Sequence, residues 1–99
     1  MDGEMDRSKL LLAAQRSLWG VVTPNLRKVY TYQQENTVSI YFYYDNQPSE
    51  LEEELFEDAA TEFIASFPHP ILLENEKYVV SYPQKIEGSG FLVYSRYEP

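Results

Sequence analysis

The chain has 99 residues, with 16 acidic and eight basic side chains and a net charge of −8. This length fits one domain, residues 1–99, better than two, and a content of 43% hydrophobic and 15% aromatic residues excludes intrinsic disorder. Cysteine is absent and histidine occurs once, which excludes disulfides, thiolate zinc sites, cysteine nucleophiles and sites that need several imidazoles.

The N-terminus predicts a cytoplasmic location. Residues 1–6 are acidic where a secretory signal is basic, and the apolar run at 10–14 is shorter than the ~7–15 residues of a signal core. A membrane span needs ~18–20 apolar residues, and the sequence has no such stretch. The negative net charge also makes nucleic acid and anionic lipid unfavourable ligands, since both require cations from the protein.

A first helix is predicted over residues 6–18. Apolar residues recur there at helical spacing, Asp6 or Ser8 is the candidate cap, and Gly20 stands where a helix is expected to stop. Leu10, Leu12 and Trp19 widen the apolar surface of this helix, so we expect it to be well covered by the rest of the protein.

A β-hairpin is predicted next, with strands at 26–33 and 37–44 and a loop at 34–36. In the second strand every other residue is apolar, so one face should lie under helices and the other should carry aromatic and hydroxyl groups. The residues expected under the helices are Val38, Ile40, Phe42 and Tyr44, and those on the other face are Ser39, Tyr41 and Tyr43.

The segment from Ser49 to about residue 66 carries the clearest helix signals. Ser49 and Glu52 have the spacing of a capping box, in which each side chain bonds to the backbone N–H of the other residue. Apolar residues then recur at helical spacing: Leu51, Leu55, Phe56, Ala59, Ala60, Phe63, Ile64 and Phe67. The opposite half of the helix carries Glu50, Glu53, Glu54, Glu57, Asp58 and Glu62.

Two further strands are predicted at 77–82 and 91–97, separated by a long loop at 83–90 and expected to pair as a hairpin. The order of elements is αββαββ, which predicts an α+β fold with two helices packed on one face of a four-stranded sheet. The helix between strands two and three implies a crossover, and the strand order stays open.

Charge is distributed unevenly along the chain. Residues 29–76 contain eleven acidic side chains and no lysine or arginine, so this segment carries −11 and the remaining segments together carry +3. Such asymmetry predicts a directed negative surface that attracts a basic protein partner. The alternative is a solvated helix surface that serves only solubility.

Candidate catalytic sites are weak. His69 lies between two prolines without an orienting acid nearby, so a surface turn is the better interpretation. The Gly-Ser-Gly sequence at 88–90 lacks a nucleotide fingerprint, and Asp45 with Asn46 does not make a calcium loop. We therefore predict no catalytic residue, no metal ligand and no cofactor.

The nine tyrosines admit two interpretations. An RNA-stacking platform would need lysines and arginines among them, and these are missing from the central strand. Tyr41 and Tyr43 fit better as anchors of a protein interface, since tyrosine combines a large contact area with a hydroxyl group. The alternative is a half-exposed sheet that cross-strand aromatic pairs stabilise.

Three stretches resemble small bacterial immunity proteins, the cytoplasmic partners of contact-dependent growth-inhibition toxins and related polymorphic toxins. The stretches are LLAAQRSLWGVVTPNLRKV at 11–29, ATEFIASFP at 60–68, and the ending with Tyr82-Pro83 and LVYSR at 92–96. They consist of apolar and turn residues rather than a reactive motif. The resemblance implies a non-catalytic inhibitor whose acidic surface covers the active site of a nuclease-type toxin domain.

The sequence thus predicts an immunity protein that binds a basic toxin domain through the six acidic residues on the second helix, with Tyr41 and Tyr43 as aromatic anchors. The alternative is a small regulatory or structural subunit that binds a basic protein through its sheet face or first helix. An enzyme would require clustered carboxylates with perturbed pKa values in a pocket.

Overall fold

The computed structural model describes residues 7–68 and 71–99. Two helices and a four-stranded mixed sheet form an α+β fold, which confirms the predicted order of elements. The elements are α1 Arg7–Ser17, β1 Leu26–Gln34, β2 Thr37–Tyr44, α2 Glu50–Ala65, β3 Leu72–Val79 and β4 Phe91–Ser95.

Helix α1 packs against β1, β4 and α2 with a face of small and apolar residues that includes Leu10 and Ala14. The predicted stop is confirmed, because Gly20 has a φ of 79°, a left-handed conformation that glycine adopts without strain. Ser8 lies within the helix and is therefore not its cap, and Asp6 lies outside the described residues. The expected coverage of α1 is confirmed for Leu10, which is buried, but is wrong for Leu12, which is 48% exposed, and for Trp19, which is 77% exposed.

Strands β1 and β2 form the predicted hairpin around a two-residue turn. Glu35 in this turn has a φ of 56°, which lets the strands reverse within so short a connection. The predicted alternation is confirmed on the helical side, where Val38, Ile40 and Phe42 are fully buried. Phe42 contacts Phe56 of α2 edge to face, with ring centroids 5.0 Å apart, so this face of the sheet lies under the helices.

Helix α2 begins with the predicted capping box. The hydroxyl of Ser49 accepts the backbone N–H of Glu52 at 3.1 Å, and the carboxylate of Glu52 accepts the N–H of Ser49 at 2.9 Å. Phe56 and Phe63 are buried against the sheet as expected. Leu51 is an exception to the predicted apolar row, since it is 60% exposed.

The third strand and its pairing differ from the prediction. β3 begins at Leu72 rather than near residue 77, and it runs parallel to β2 at one edge of a sheet with the order β3-β2-β1-β4. β4 pairs with β1 at the opposite edge, so the predicted β3–β4 hairpin is wrong. β4 also ends at Ser95, earlier than the predicted residue 97.

Hydrogen bonds to the segment after β3 account for this topology. Arg27 donates to the carbonyls of Val80 at 2.6 Å and Gln84 at 2.9 Å, and Asp45 accepts the N–H of Tyr82 at 2.8 Å. These contacts hold the chain at the ends of β1 and β2 while it passes from one sheet edge to the other. A chain that paired β4 directly with β3 would not reach the ends of β1 and β2 in this way and would lose these contacts.

Candidate partner-binding surfaces

The six predicted acidic residues of α2 form one exposed surface, which we call the α2 acid row: Glu50, Glu53, Glu54, Glu57, Asp58 and Glu62. At about 100° per residue they cover the half of the helix that faces away from the buried side chains. Within residues 7–68 and 71–99, none of the six forms an ion pair. Their negative charges therefore face solvent without compensation from this part of the protein.

One cation lies at the border of this row. The ammonium group of Lys77 on β3 is 5.0 Å from the centre of the Phe56 ring, where it makes a cation–π contact. Lys77 and Glu53 both line a pocket of about 290 Å³ between α2 and β3. The ammonium group is held by the aromatic ring rather than by a carboxylate, so the acid row keeps its net negative charge.

The neighbouring helix, α1, carries positive charge. Arg7, Lys9 and Arg16 of α1 are all exposed, and the sequence of this helix contains no acidic residue. The two helices of one layer thus carry opposite charge, and a basic partner is attracted to α2 and repelled from α1.

The eleven acidic residues of the central segment do not all join this surface. Glu74 and Glu76 are exposed on β3, paired in register with Ser39 and Tyr41 on the sheet face away from the helices. Asp45 is neutralised within the chain by Arg96, whose Nη2 lies 3.0 Å from the carboxylate. The hydrogen bond from the N–H of Tyr82 and the ion pair with Arg96 hold the pKa of Asp45 below its ordinary value. The expected single negative surface is therefore reduced to the α2 acid row.

Glu52 connects α2 to the loop that follows α1. Its carboxylate accepts hydrogen bonds from the hydroxyl of Thr23 and from the side-chain amide of Asn25, the latter at 3.2 Å. Burial raises the pKa of Glu52, but the hydrogen bonds from Thr23, Ser49 and Asn25 outweigh it and leave the pKa below its ordinary value. The first turn of α2 is therefore fixed in position by a carboxylate that stays ionised.

A pocket of about 410 Å³ is lined by residues that include Asp45, Glu52 and Arg96. It brings two carboxylates together, which is the arrangement that acid–base catalysis requires. A general acid needs a carboxyl group whose pKa is raised, next to another that stays ionised. Both carboxylates in this pocket have a lowered pKa and are occupied by hydrogen bonds from their neighbours. The arrangement positions α2 and does not provide an acid–base pair.

Tyr41 and Tyr43 lie on the opposite face of the sheet from the α2 acid row, because they alternate with the buried Ile40 and Phe42. The structure therefore does not bring the predicted acidic and aromatic residues together on one flat surface. It joins the two tyrosines to others instead: Tyr43 stacks on Tyr78 at 5.1 Å and contacts Tyr30 edge to face at 5.8 Å. We call Tyr30, Tyr41, Tyr43 and Tyr78 the tyrosine face.

The tyrosine face is partly covered by the chain before β4. A Cβ atom at Gly88 would come within 2.1 Å of the Tyr30 ring, so the backbone passes directly over this side chain. Beyond it, a groove of about 530 Å³ is lined by residues that include Tyr32, Tyr41 and Glu74. The carboxylate of Glu74 accepts a hydrogen bond from the Tyr41 hydroxyl at 3.3 Å. Burial raises the pKa of Tyr43, which keeps its hydroxyl protonated.

The sequence analysis does not identify as candidates the exposed apolar residues at the end of α1, in the loop that follows it and at the start of α2. Trp19 is 77% exposed, Val22 is 42% exposed and Leu51 is 60% exposed. Helical periodicity predicts that Trp19 and Leu51 are covered, because it counts apolar side chains only. It does not show that Trp19 lies beyond the end of α1 and that Leu51 lies in the first turn of α2. The informative signal in the sequence was the position of Trp19 next to Gly20, after the regular part of the helix.

The described part of the chain offers neither a metal cluster nor a membrane-spanning helix. Among the residues that the structure describes, no group of three or more histidine, aspartate or glutamate side chains is placed to hold a metal ion. In the same part of the chain, neither helix combines the length and the hydropathy that a membrane crossing requires. His69, for which the sequence favours a surface turn over a catalytic role, lies outside the described residues.

Comparison with known proteins agrees with the resemblance found in the sequence. The model of the family described as MafI2 immunity protein matches residues 7–98, which is nearly the whole chain. Among curated proteins, none matches the chain. The match covers both helices and all four strands, and the chain therefore belongs to the MafI2 immunity protein family.

Proposed function

We propose that the chain neutralises a cognate toxin domain by binding it through the α2 acid row. The observation that carries this proposal is the row of six exposed carboxylates without an ion-pair partner in the described part of the chain. The toxin domain is a nuclease with a basic substrate-binding surface. Residues 1–99 act as one domain in the cytoplasm, as an inhibitor without catalytic activity or cofactor.

Charge complementarity supports this choice of partner. A nuclease binds phosphate groups with lysines and arginines, and a row of carboxylates can occupy the same cations. Close charge pairs across an interface contribute about 1.5–7 kcal/mol in favourable cases, and steering raises the association rate. An inhibitor that must act before its own cell is damaged benefits from both effects.

The tyrosine face is the second candidate surface. Its four rings contact one another on a side of the sheet that no helix covers in the described part of the chain. Tyrosines of this kind are enriched in interfaces, and Tyr41 and Tyr43 would then be the anchors. This surface also fits the alternative function, a regulatory or structural subunit that binds a basic protein.

Two charge-reversal variants distinguish these surfaces. The first carries Glu53→Lys, Glu54→Lys and Glu57→Lys in the α2 acid row. The matched control carries Glu35→Lys, Glu76→Lys and Glu87→Lys, three exposed acids outside α2. Each reversal changes the charge by two units, so both variants have a net charge of about −2 instead of −8.

The measurement is the association rate with the purified C-terminal domain of the toxin encoded beside this chain. We expect the α2 variant to associate at least about 10-fold more slowly and to lose protection of cells, while the control stays within about 3-fold of the unmodified chain. Equal association rates for the two variants would reject the α2 acid row as the binding surface. Slower association and lost protection in the control variant alone would indicate that the toxin binds the tyrosine face instead.

A further inference from the structure

We propose that Trp19, Val22 and Leu51 form the apolar centre of the toxin contact, and we call these three residues the apolar patch. This inference rests on the proposed function and assigns separate roles to two surfaces. The α2 acid row attracts the toxin domain, and the apolar patch holds it. The matching surface on the toxin domain is an apolar pocket bordered by lysines or arginines.

The exposure of these side chains is the first reason. Tryptophan is one of the residues that proteins bury most extensively, yet Trp19 leaves 77% of its surface in water. Leu51 is 60% exposed on a helix whose other large apolar residues are buried or half-buried. Removing the apolar surface of these side chains from water lowers the free energy, and this happens only when another molecule covers them.

The second reason is the position of the patch. Thr23 and Asn25 donate hydrogen bonds to Glu52, which ties the loop after α1 to the first turn of α2. Val22 precedes Thr23 and Leu51 precedes Glu52, so both lie at this junction. Trp19 belongs to the turn that leads into the same loop, where the N–H of Val21 bonds to the carbonyl of Leu18 at 3.1 Å.

The third reason is the continuity of the patch with the α2 acid row. Leu51 lies on the helix surface next to Glu54 and Asp58, which follow it three and seven residues later. Interfaces commonly place a few aromatic and apolar anchors at the centre and charged residues around them. Leu51 and its acidic neighbours reproduce this arrangement on a single helix.

The charges around the patch identify the occupant. A second copy of the chain also carries a basic helix, α1, so it is an alternative occupant, and self-association of the isolated chain with burial of Trp19 would overturn the inference. An anionic lipid surface would be repelled by the α2 acid row. A basic protein surface is attracted, so the toxin domain of the proposed function is the partner that fits both the patch and its acidic border.

The chain contains one tryptophan, which makes the inference directly measurable. The chain is labelled with 5-fluorotryptophan, and the ¹⁹F resonance is followed while the unlabelled toxin C-terminal domain is added. We expect the resonance to shift when residue 19 becomes covered. The solvent isotope effect on its chemical shift, measured between H2O and D2O, should fall to less than about half of its value in the free chain. A resonance and an isotope effect that stay unchanged in the saturated complex would overturn the inference.

Kinetics provide the second measurement. We expect Trp19→Ala to dissociate from the toxin domain about 30-fold faster, with an association rate within about 3-fold of the unmodified chain. Leu51→Ala serves as an independent variant that leaves the loop after α1 intact. The control is Tyr97→Ala, which removes an aromatic side chain that is 88% exposed and belongs neither to α2 nor to the apolar patch.

The outcomes separate this inference from the proposed function. If the α2 charge reversal weakens binding but Trp19→Ala and Leu51→Ala behave like Tyr97→Ala, the proposed function stands and the apolar patch is wrong. If the unmodified chain does not bind the toxin domain, the proposed function fails and the inference fails with it.

Discussion

Replacing Glu98 by glutamine removes the charge that balances a buried guanidinium group and leaves the side-chain size unchanged. Arg27 is 3% exposed, and its Nε and Nη2 donate to the two carboxylate oxygens of Glu98 at 2.7 and 3.0 Å. Its Nη1 donates to the carbonyls of Val80 and Gln84. This group therefore joins β1, the segment after β3 and the C-terminal residues.

The expected loss of stability follows from these contacts. Breaking a buried ion pair by removing one partner costs about 3–5 kcal/mol. Glu98 is 18% exposed and Arg27 keeps its two carbonyl partners, which reduces the expected loss for Glu98→Gln to about 2–3 kcal/mol. For a domain of this size, that loss lowers the midpoint of thermal unfolding by roughly 10–20 °C.

Urea unfolding at pH 7 measures this change, with Glu87→Gln as the control because it alters the same charge at an exposed position. We expect the midpoint of Glu98→Gln to fall clearly below that of the control while the slope stays the same. Coincident unfolding curves for the two variants would refute the assignment of Glu98 as the partner that stabilises Arg27.

The pH dependence of the same pair has a definite sign. The hydrogen bond and charge of Arg27 hold the pKa of Glu98 below its ordinary value of 4.5. A lowered pKa contributes stability that is present above the unfolded value and is lost as the pH falls through the folded value. The difference in stability between the unmodified chain and Glu98→Gln should therefore narrow as the pH falls below about 4.5.

Three further substitutions, one of them a control, test local features of the fold by urea unfolding. Gly90 has a φ of 93°, and a Cβ there would lie 2.4 Å from the carbonyl oxygen of Thr31, so Gly90→Ala should lose about 2–3 kcal/mol. Gly20→Ala, at a similar φ but in open space, should lose only about 1 kcal/mol; equal losses would contradict the close approach at Gly90. Ser49→Ala removes the N-cap acceptor of α2 and should lose about 1 kcal/mol, whereas an unchanged midpoint would show that the cap is dispensable.

Local signals in the sequence predicted α2 and the β1–β2 hairpin well. The capping box formed by Ser49 and Glu52 depends on residues three apart, and the bounds of β2 follow from strict alternation of apolar side chains. The start of β3 was misplaced because its first five residues include Glu74, Asn75 and Glu76, which alternation of apolar residues does not identify. As an edge strand it needs charged residues that discourage pairing with other chains.

The local patterns in the sequence do not predict which strands pair when their residues are far apart along the chain. The separation of β3 from β4 depends on Arg27, Asp45 and the backbone between Val80 and Gln84, which are far apart along the chain. The candidate surfaces show the same division. The acidic half of α2 is exposed as predicted, and Tyr41 and Tyr43 lie on the predicted sheet face away from the helices. Their contacts with Tyr30 and Tyr78 depend on strand pairing and were not predicted.

Mapping the toxin contact on the chain by NMR tests the central claim most directly. The chain is labelled with ¹⁵N, and its amide resonances are compared before and after saturation with the unlabelled toxin C-terminal domain. The account predicts that the largest changes fall in the loop after α1 and along residues 50–62 of α2, with small changes at 39–43 of β2. Large changes confined to the tyrosine face, with α2 unaffected, would contradict it.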